Sequence, residues 1–444
     1  MKYDLIIIGS GPAGYVAAIR AGQTGLKTLV IDKRYIGGMC LNWGCIPSKT
    51  WLESAKLYNK IVKQSADFGI TGVDAKKIGF DWKQARKRSS DVIAKLSRGI
   101  EFLWKKNGVE FLKAEAKIIS PTEVEADKQI FETKHILIAT GSRPAELDGM
   151  KKVLGVEALA NSDSLPEKPI IWGEGPVAYE MLQFFQLLGR EPVLALTGEV
   201  LLPELDESLQ SFVQRKLKKE KVTVVPAQKI RFDGEKAFID KQEIEYDTIL
   251  NCSLRKAVLP KSKVELQLKD GFIEVNHSFQ SSIPNIYAAG DVNGKSYLAH
   301  AASSQGLAVI DHIHGRNLDV DALELMPINI YSDPEIAQIG KTESQLKAEG
   351  VEYMTQQYSL AANGKALAEG ASEGYLRLIY EPKYSQVLGV QIVASNATDM
   401  IAEAALLLEM EGTVYDLATA IHAHPTVSEV FMDAGSQAVS DLEE

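Results

Sequence analysis

Two glycine-rich motifs, each set between a short apolar strand and a helix, and a run of alternating strands after about residue 320 predict an α/β chain: two Rossmann-like dinucleotide-binding domains followed by a C-terminal α+β domain. The length of 444 residues exceeds what one hydrophobic core serves. A hydrophobic fraction of 45% and a charged fraction of 24% are those of a soluble globular protein. With 49 Lys+Arg against 59 Asp+Glu the net charge is −10, which argues against nucleic acid or an anionic membrane as the main partner. No apolar run approaches a membrane span, and "MKYDLIIIGSG" turns glycine-rich too soon for a signal peptide. Three cysteines make no secreted disulfide framework, so a reducing cytoplasm is the expected location.

The N-terminus reads strand, turn, helix. "YDLIIIG" (3–9) is apolar throughout, as a strand buried on both faces requires, "GSGPAG" (9–14) follows, and "KTLVID" (27–32) is a second strand ending in Asp32. Gly9 permits the tight turn, Gly11 lets a pyrophosphate approach the backbone, Gly14 packs helix on strand, and Asp32 accepts from a ribose hydroxyl. A second copy starts at Lys168: "KPIIW", "GEGPVA" (173–178), a helix, then the strand "PVLALT" (192–197). Here the strand ends in Thr197, so the ribose-binding acid is missing from its usual place; Glu199, two residues on, is the candidate substitute. "HILIATGSRP" (135–144) and "NIYAAGDV" (285–292) are strands running into glycine turns, and both look like further walls of the first nucleotide site. Beyond residue 320, "VEYMTQQYSL", "GYLRLIYEP" and "QVLGVQIV" alternate like antiparallel strands, and "TDMIAEAALLLEME" is amphipathic at helical spacing. In "IHAHPTVSEV" (421–430), His424 with Glu429 five residues on is a candidate general base with an orienting carboxylate.

Residues 37–49, "GGMCLNWGCIPSK", hold two of the three cysteines, Cys40 and Cys45. Their proximity points to redox or metal chemistry. A zinc site needs two further ligands, and Cys252 and the seven scattered histidines offer no second pair, so no metal is expected.

The motifs in order, GSGPAG, GGMCLNWGCIPSK, ATGSRP, GEGPVAYE, AAGDV, YLAH and HAHPTVSE, resemble those of the FAD-dependent pyridine nucleotide–disulfide oxidoreductases, the group of dihydrolipoamide dehydrogenase and glutathione reductase. The resemblance runs from Tyr3 to about Glu429. It implies an FAD-binding domain over 1–147, completed by 257–320, an NAD(P)-binding domain over 148–256 and a dimerisation domain over 321–444. It implies that Cys40 and Cys45 are a redox disulfide beside the flavin. FAD would lie against Gly9, Gly11, Pro12, Ala13, Gly14, Asp32, Lys33, Gly38, Met39, Ala116, Thr140, Gly141, Ser142, Gly290 and Asp291, and against Tyr297, Leu298, Ala299 and His300. Lys49 and Glu180 match positions that pair near the flavin N5, and Gly173, Gly175, Val177, Thr197 and Leu254 belong to the nicotinamide site. Physical chemistry adds that Pro47 is well placed to begin a helix, setting Cys45 at a positive helix end that favours a thiolate. Cys45 would then face the flavin and Cys40 the substrate.

Several residues depart from the family pattern. Met39 stands for a threonine, Trp43 for a small aliphatic, Ala116 for a glycine, and Leu254 for the glycine of Gly-Arg-x-Pro. Thr197 and Leu254 both fall on the second nucleotide site, so the expectation is weak nicotinamide binding with NAD only slightly preferred over NADP. The leading function is oxidation of a lipoyl dithiol, on a lipoyl-bearing protein or a small molecule, by a homodimer using FAD and NAD. The alternatives are a flavin disulfide reductase with another disulfide or electron partner, and a flavin-binding sensor without turnover, against which the His424–Glu429 pair argues.

Overall fold

A computed structural model describes residues 2–253, 255–316 and 325–444, in two compact units. Leu254 lies outside the described residues. The first unit comprises residues 1–167 and 247–320, the second 168–246 and 321–444.

In the first unit, β1 (Lys2–Ile8) leads through the glycine turn into α1 (Pro12–Gln23), and β2 (Thr28–Ile31) follows. β1 lies between β2 and the strand Gln129–Ile138, parallel to both. The strand Ile286–Ala288 runs parallel on the other side of Gln129–Ile138. The residues at the centre of these strands, Leu5, Ile6, Ile7, Val30, Ile136 and Leu137, are fully buried, which is why their sequences show no alternation. These four strands end at one edge, where backbone hydrogen bonds hold successive exits in step: Gly9 N donates to Ile31 O, Ala139 N to Ile8 O and Ala289 N to Ile138 O. Gly14 has a steric task. A Cβ there would lie 2.1 Å from the carbonyl oxygen of Gly9, so only hydrogen lets α1 seat against the turn. The helix Ala299–Ile313 approaches α1 in the same manner, a Cβ on Gly306 falling 2.5 Å from Ala13 O.

Apart from a small antiparallel sheet of Ile230–Asp233, Lys236–Ile239 and Gln242–Ile244, the described residues of the second unit form two larger sheets. The strands Pro169–Trp172, Val193–Leu196 and Thr223–Pro226 are parallel, with the helix Pro176–Leu187 between the first two. The other sheet is antiparallel, ordered Ile328–Ile330, Glu335–Gly340, Val387–Ala394, Tyr375–Tyr380, Met354–Ser359. Its inner face packs Leu376, Leu378, Tyr380 and Ile392 with Ile401 of the helix Ala397–Glu409 and with Val430 and Phe431 of the helix Glu429–Glu443. The fold is thus the mixed α/β arrangement expected. Among the described residues no helix is long and apolar enough to cross a membrane.

Candidate active site

The shared edge of the first sheet gathers the first glycine turn, Asp32, the 139–142 turn and the 289–291 turn. Asp32 is held by three donors: the amide and hydroxyl of Ser10, both 2.8 Å from Oδ2, and the Arg34 amide, 2.8 Å from Oδ1. Lys33 turns its ammonium to Glu115 at 2.7 Å in an exposed pair, where Lys261 also binds that carboxylate and the two cations hold it down at about 2. Ala116 is buried in the core beneath. Asp291 accepts from Ser142 Oγ at 2.5 Å.

The same cluster holds a residue that sequence reading missed. Arg255 is largely buried and donates through Nε to Ser142 Oγ (2.5 Å) and through Nη2 to Ser142 O (2.8 Å) and Met39 Sδ (2.7 Å); Asp291 lies 3.4 Å from its Nε. Arg255 answers to the arginine of the family's Gly-Arg-x-Pro motif. Its neighbours Leu254 and Ala257 replace the glycine and proline of that motif, so the sequence signal around the arginine is weak. The antiparallel pairing of Arg255–Ala257 with Ser142–Pro144 brings it to the site.

Cys40 and Cys45 sit on consecutive short-range elements. Cys40 is in the single-turn helix α2 (Gly38–Asn42), and Cys45 is the first residue of the twenty-residue helix α3 (Cys45–Gln64), with Pro47 in its first turn. The helix thus opens two residues before Pro47. Its Ncap, Gly44, has no side chain to cap it, and a Cβ there would lie 3.1 Å from Met39 O and 3.3 Å from Cys40 Cα, so the two helices close directly on each other. Gly38 has φ +61°, and a Cβ on it would fall 2.5 Å from Gly11 Cα, bringing the cysteine segment against the first glycine motif. No disulfide joins Cys40 and Cys45 here. A hydrogen bond to Cys45 and then burial push the Cys40 thiol far up, while the Lys49 ammonium pulls the other way. Cys45 occupies the helix N-terminus, a position that favours a thiolate. Burial, and in smaller part the charges of Cys40 and Cys45, push the Tyr15 hydroxyl on α1 up. Trp43 stacks edge-on against Tyr35, 5.5 Å between centroids.

Thr140 Oγ1 is buried with no hydrogen-bond partner among the described residues. An orphaned hydroxyl inside a ring of glycine turns, beside acid and guanidinium groups, suits a polar cofactor that supplies the missing partner. Tyr297 is 44% exposed, and Leu298 is the Ncap of the helix that carries Ala299 and His300.

In the second unit, His424 Nδ1 lies 2.9 Å from Glu429 Oε1, and Glu429 Oε2 accepts from the Thr426 amide at 2.8 Å. The Thr426 amide and the His424 ring hold the Glu429 carboxyl below its usual range. A second pair stands alongside, also unread in the sequence: His422 Nε2 meets Glu403 Oε1 at 2.7 Å, and its ring stacks on Phe431. Glu180 is buried on the helix Pro176–Leu187 and accepts from the Tyr331 amide at 3.1 Å. Gly175 is the Ncap of that helix, and Val177 is 40% exposed in its first turn. At the exit of Val193–Leu196, Thr197 donates to Glu174 Oε2 at 3.2 Å.

Residues 3–306 match the pyridine nucleotide-disulphide oxidoreductases, and residues 326–434 match the dimerisation domain of the same enzymes. The chain belongs to this family. It is 35% identical to the dihydrolipoyl dehydrogenase of Mycoplasma genitalium over 457 aligned residues, covering 99% of both proteins. It is 36% identical to dihydrolipoyl dehydrogenase 1, mitochondrial, of Arabidopsis thaliana, over 97% of this chain and 89% of that one. Its fold is that of LpdA from Mycobacterium tuberculosis, with a TM-score of 0.88 at 24% identity over 98% of this chain and 99% of the other. The pyridine nucleotide–disulfide oxidoreductase described here is therefore a flavoprotein disulfide oxidoreductase, of a family whose dihydrolipoyl dehydrogenases use FAD and NAD.

Proposed function

We propose that this flavoenzyme oxidises a lipoyl dithiol to its disulfide and delivers the two electrons to NAD. The observation that carries the reading is the placing of the thiol pair: Cys45 opens α3 at its N-terminus, which favours a thiolate, and Cys40 stands on the short helix closed against it. The glycine turns, Asp32, Thr140 and the Arg255–Ser142–Asp291 cluster would hold FAD, which would supply two-electron chemistry between thiol and nicotinamide.

The residues of the chain handle protons and sulfur. A carboxylate can only accept, so Glu429 fixes the proton of His424 on Nδ1 and leaves Nε2 as a base. His424 takes a proton from the first substrate thiol, and the resulting thiolate attacks Cys40 of the oxidised pair. The Cys40–Cys45 bond breaks, Cys45 leaves as thiolate, and a substrate–Cys40 disulfide forms. The second substrate thiol then displaces Cys40, which takes a proton, and the disulfide product departs. One dithiol is oxidised for each cysteine pair reduced. In this reading His424 serves the cysteines of the partner in a homodimer, which accords with a dimerisation domain around it and a side chain that is 81% exposed in a single chain.

The test is spectroscopic. Cys40→Ser enzyme should show long-wavelength charge-transfer absorbance without any reductant, because Cys45 is then a free thiolate beside the flavin, and Cys45→Ser should show none. Wild-type enzyme should reduce NAD with dihydrolipoamide. The reverse pattern in the two variants overturns the assignment of the cysteines, and a flavin that no dithiol reduces overturns the reaction.

A further inference from the structure

The two glycine motifs differ reciprocally. In GSGPAG the second residue is Ser10 and the following strand ends in Asp32; hydroxyl and amide of Ser10 donate to Asp32 Oδ2. In GEGPVA the second residue is Glu174 and the strand ends in Thr197; the Thr197 hydroxyl donates to Glu174 Oε2. Acid and hydroxyl have exchanged places, and the bond between them is kept. A carboxylate therefore does reach the end of the second strand, carried by the glycine loop instead of by the strand.

Two further features hold it there. Gly198, next after Thr197, leaves the space: a Cβ on it would lie 1.9 Å from Glu174 Oε2 and 2.7 Å from Cδ. The Glu174 carbonyl accepts from the Leu202 amide at 2.7 Å, tying the glycine loop to the loop that follows the strand. Among the described residues Glu174 makes no ion pair, so its charge is left for a ligand. That charge is felt across the loop, since Glu204 is raised by burial and, in smaller part, by Glu174.

We propose that Glu174 is the ribose-binding acid of the second nucleotide site, accepting from the adenosine ribose hydroxyls of NAD and repelling the 2′-phosphate of NADP. This rests on the reading that the second glycine motif holds a pyridine nucleotide. It replaces the expectation of weak and scarcely selective binding, which rested on Thr197 and Leu254, and it leaves exposed Glu199, the substitute acid expected from the sequence, without a role in selectivity.

Oxidised holoenzyme is titrated with NAD and NADP in four forms: wild type, Glu174→Gln, Gly198→Ala and Glu199→Gln. Wild type should prefer NAD strongly. Glu174→Gln should lose about 10- to 150-fold in NAD affinity, the worth of charge-assisted bonds to a diol, while NADP binding holds or improves. Gly198→Ala should give the same collapse of selectivity with Glu174 still present, because its methyl displaces the carboxylate. Glu199→Gln should match wild type. Unchanged NAD preference in both Glu174→Gln and Gly198→Ala, or its loss in Glu199→Gln, overturns the assignment, as does a wild type that binds neither nucleotide. Flavin reduction by dihydrolipoamide, which needs no nicotinamide, is followed in parallel. If it fails while the nucleotide selectivity still depends on Glu174, the proposed reaction falls and the assignment of Glu174 stands.

Discussion

His424 is exposed over most of its side chain, so packing does not orient it; a single carboxylate does. Replacing it with Gln should slow dithiol oxidation by about 10²–10⁴-fold, the usual worth of a positioned base. Reduction of the flavin by NADH in the same variant should change far less, and equal losses in both half-reactions would mark the ring as structural. Because the Glu429 carboxyl is held below its ordinary value, the brace it provides is fully present above the usual glutamate pKa of about 4.3 and fades only as pH falls through the lower value of the fold. At this scale the sequence was informative where chemistry is local. Cys40 with Cys45, and His424 with Glu429, are five residues apart and visible in one glance along the chain. Arg255 and Glu174 were not visible. Arg255 meets Ser142 through a strand pairing more than a hundred residues apart, and Glu174 meets Thr197 only once strand and glycine loop come together.

At the scale of the element, the first glycine turn and α1 depend on a missing methyl. Gly14→Ala places a carbon 2.1 Å from a backbone oxygen that has no rotamer to escape into. The variant should be less stable by about 1–3 kcal/mol, the common cost of overpacking, and should purify with less flavin. Chemical denaturation and the ratio of flavin to protein measure both. Full stability with a full complement of flavin would show that the helix can shift freely. The central strands of this sheet were legible because burial on both faces writes a continuous apolar run; in the C-terminal sheet only the edge strand Met354–Ser359 alternates as expected, while Tyr375–Tyr380 and Val387–Ala394 are buried almost throughout. Shorter pieces were not. Val153–Gly155 pairs with Thr248–Asn251 in the first unit, a grouping that strands of three and four residues cannot signal without their distant partner.

At the scale of the whole molecule, the C-terminal domain carries its own sign of a covered surface. Ile421 is 99% exposed immediately before His422, and Leu406 and Met410 of the neighbouring segment are 64% and 72% exposed. Apolar side chains so placed beside the base fit a face that a second chain covers. If each site joins the cysteines of one chain to His424 of the other, mixed Cys40→Ser and His424→Gln chains should regain activity that neither has alone. In a randomly assorted equal mixture about one site in four is intact, since half of the dimers are mixed and each mixed dimer keeps one good site. No recovery after co-refolding would place base and cysteines in the same chain. The outward-facing imidazole then has a thermodynamic consequence. Well below the dimer dissociation constant the number of working sites follows the square of the chain concentration, so each twofold dilution leaves about a quarter of the turnover, and abundance itself sets the specific activity.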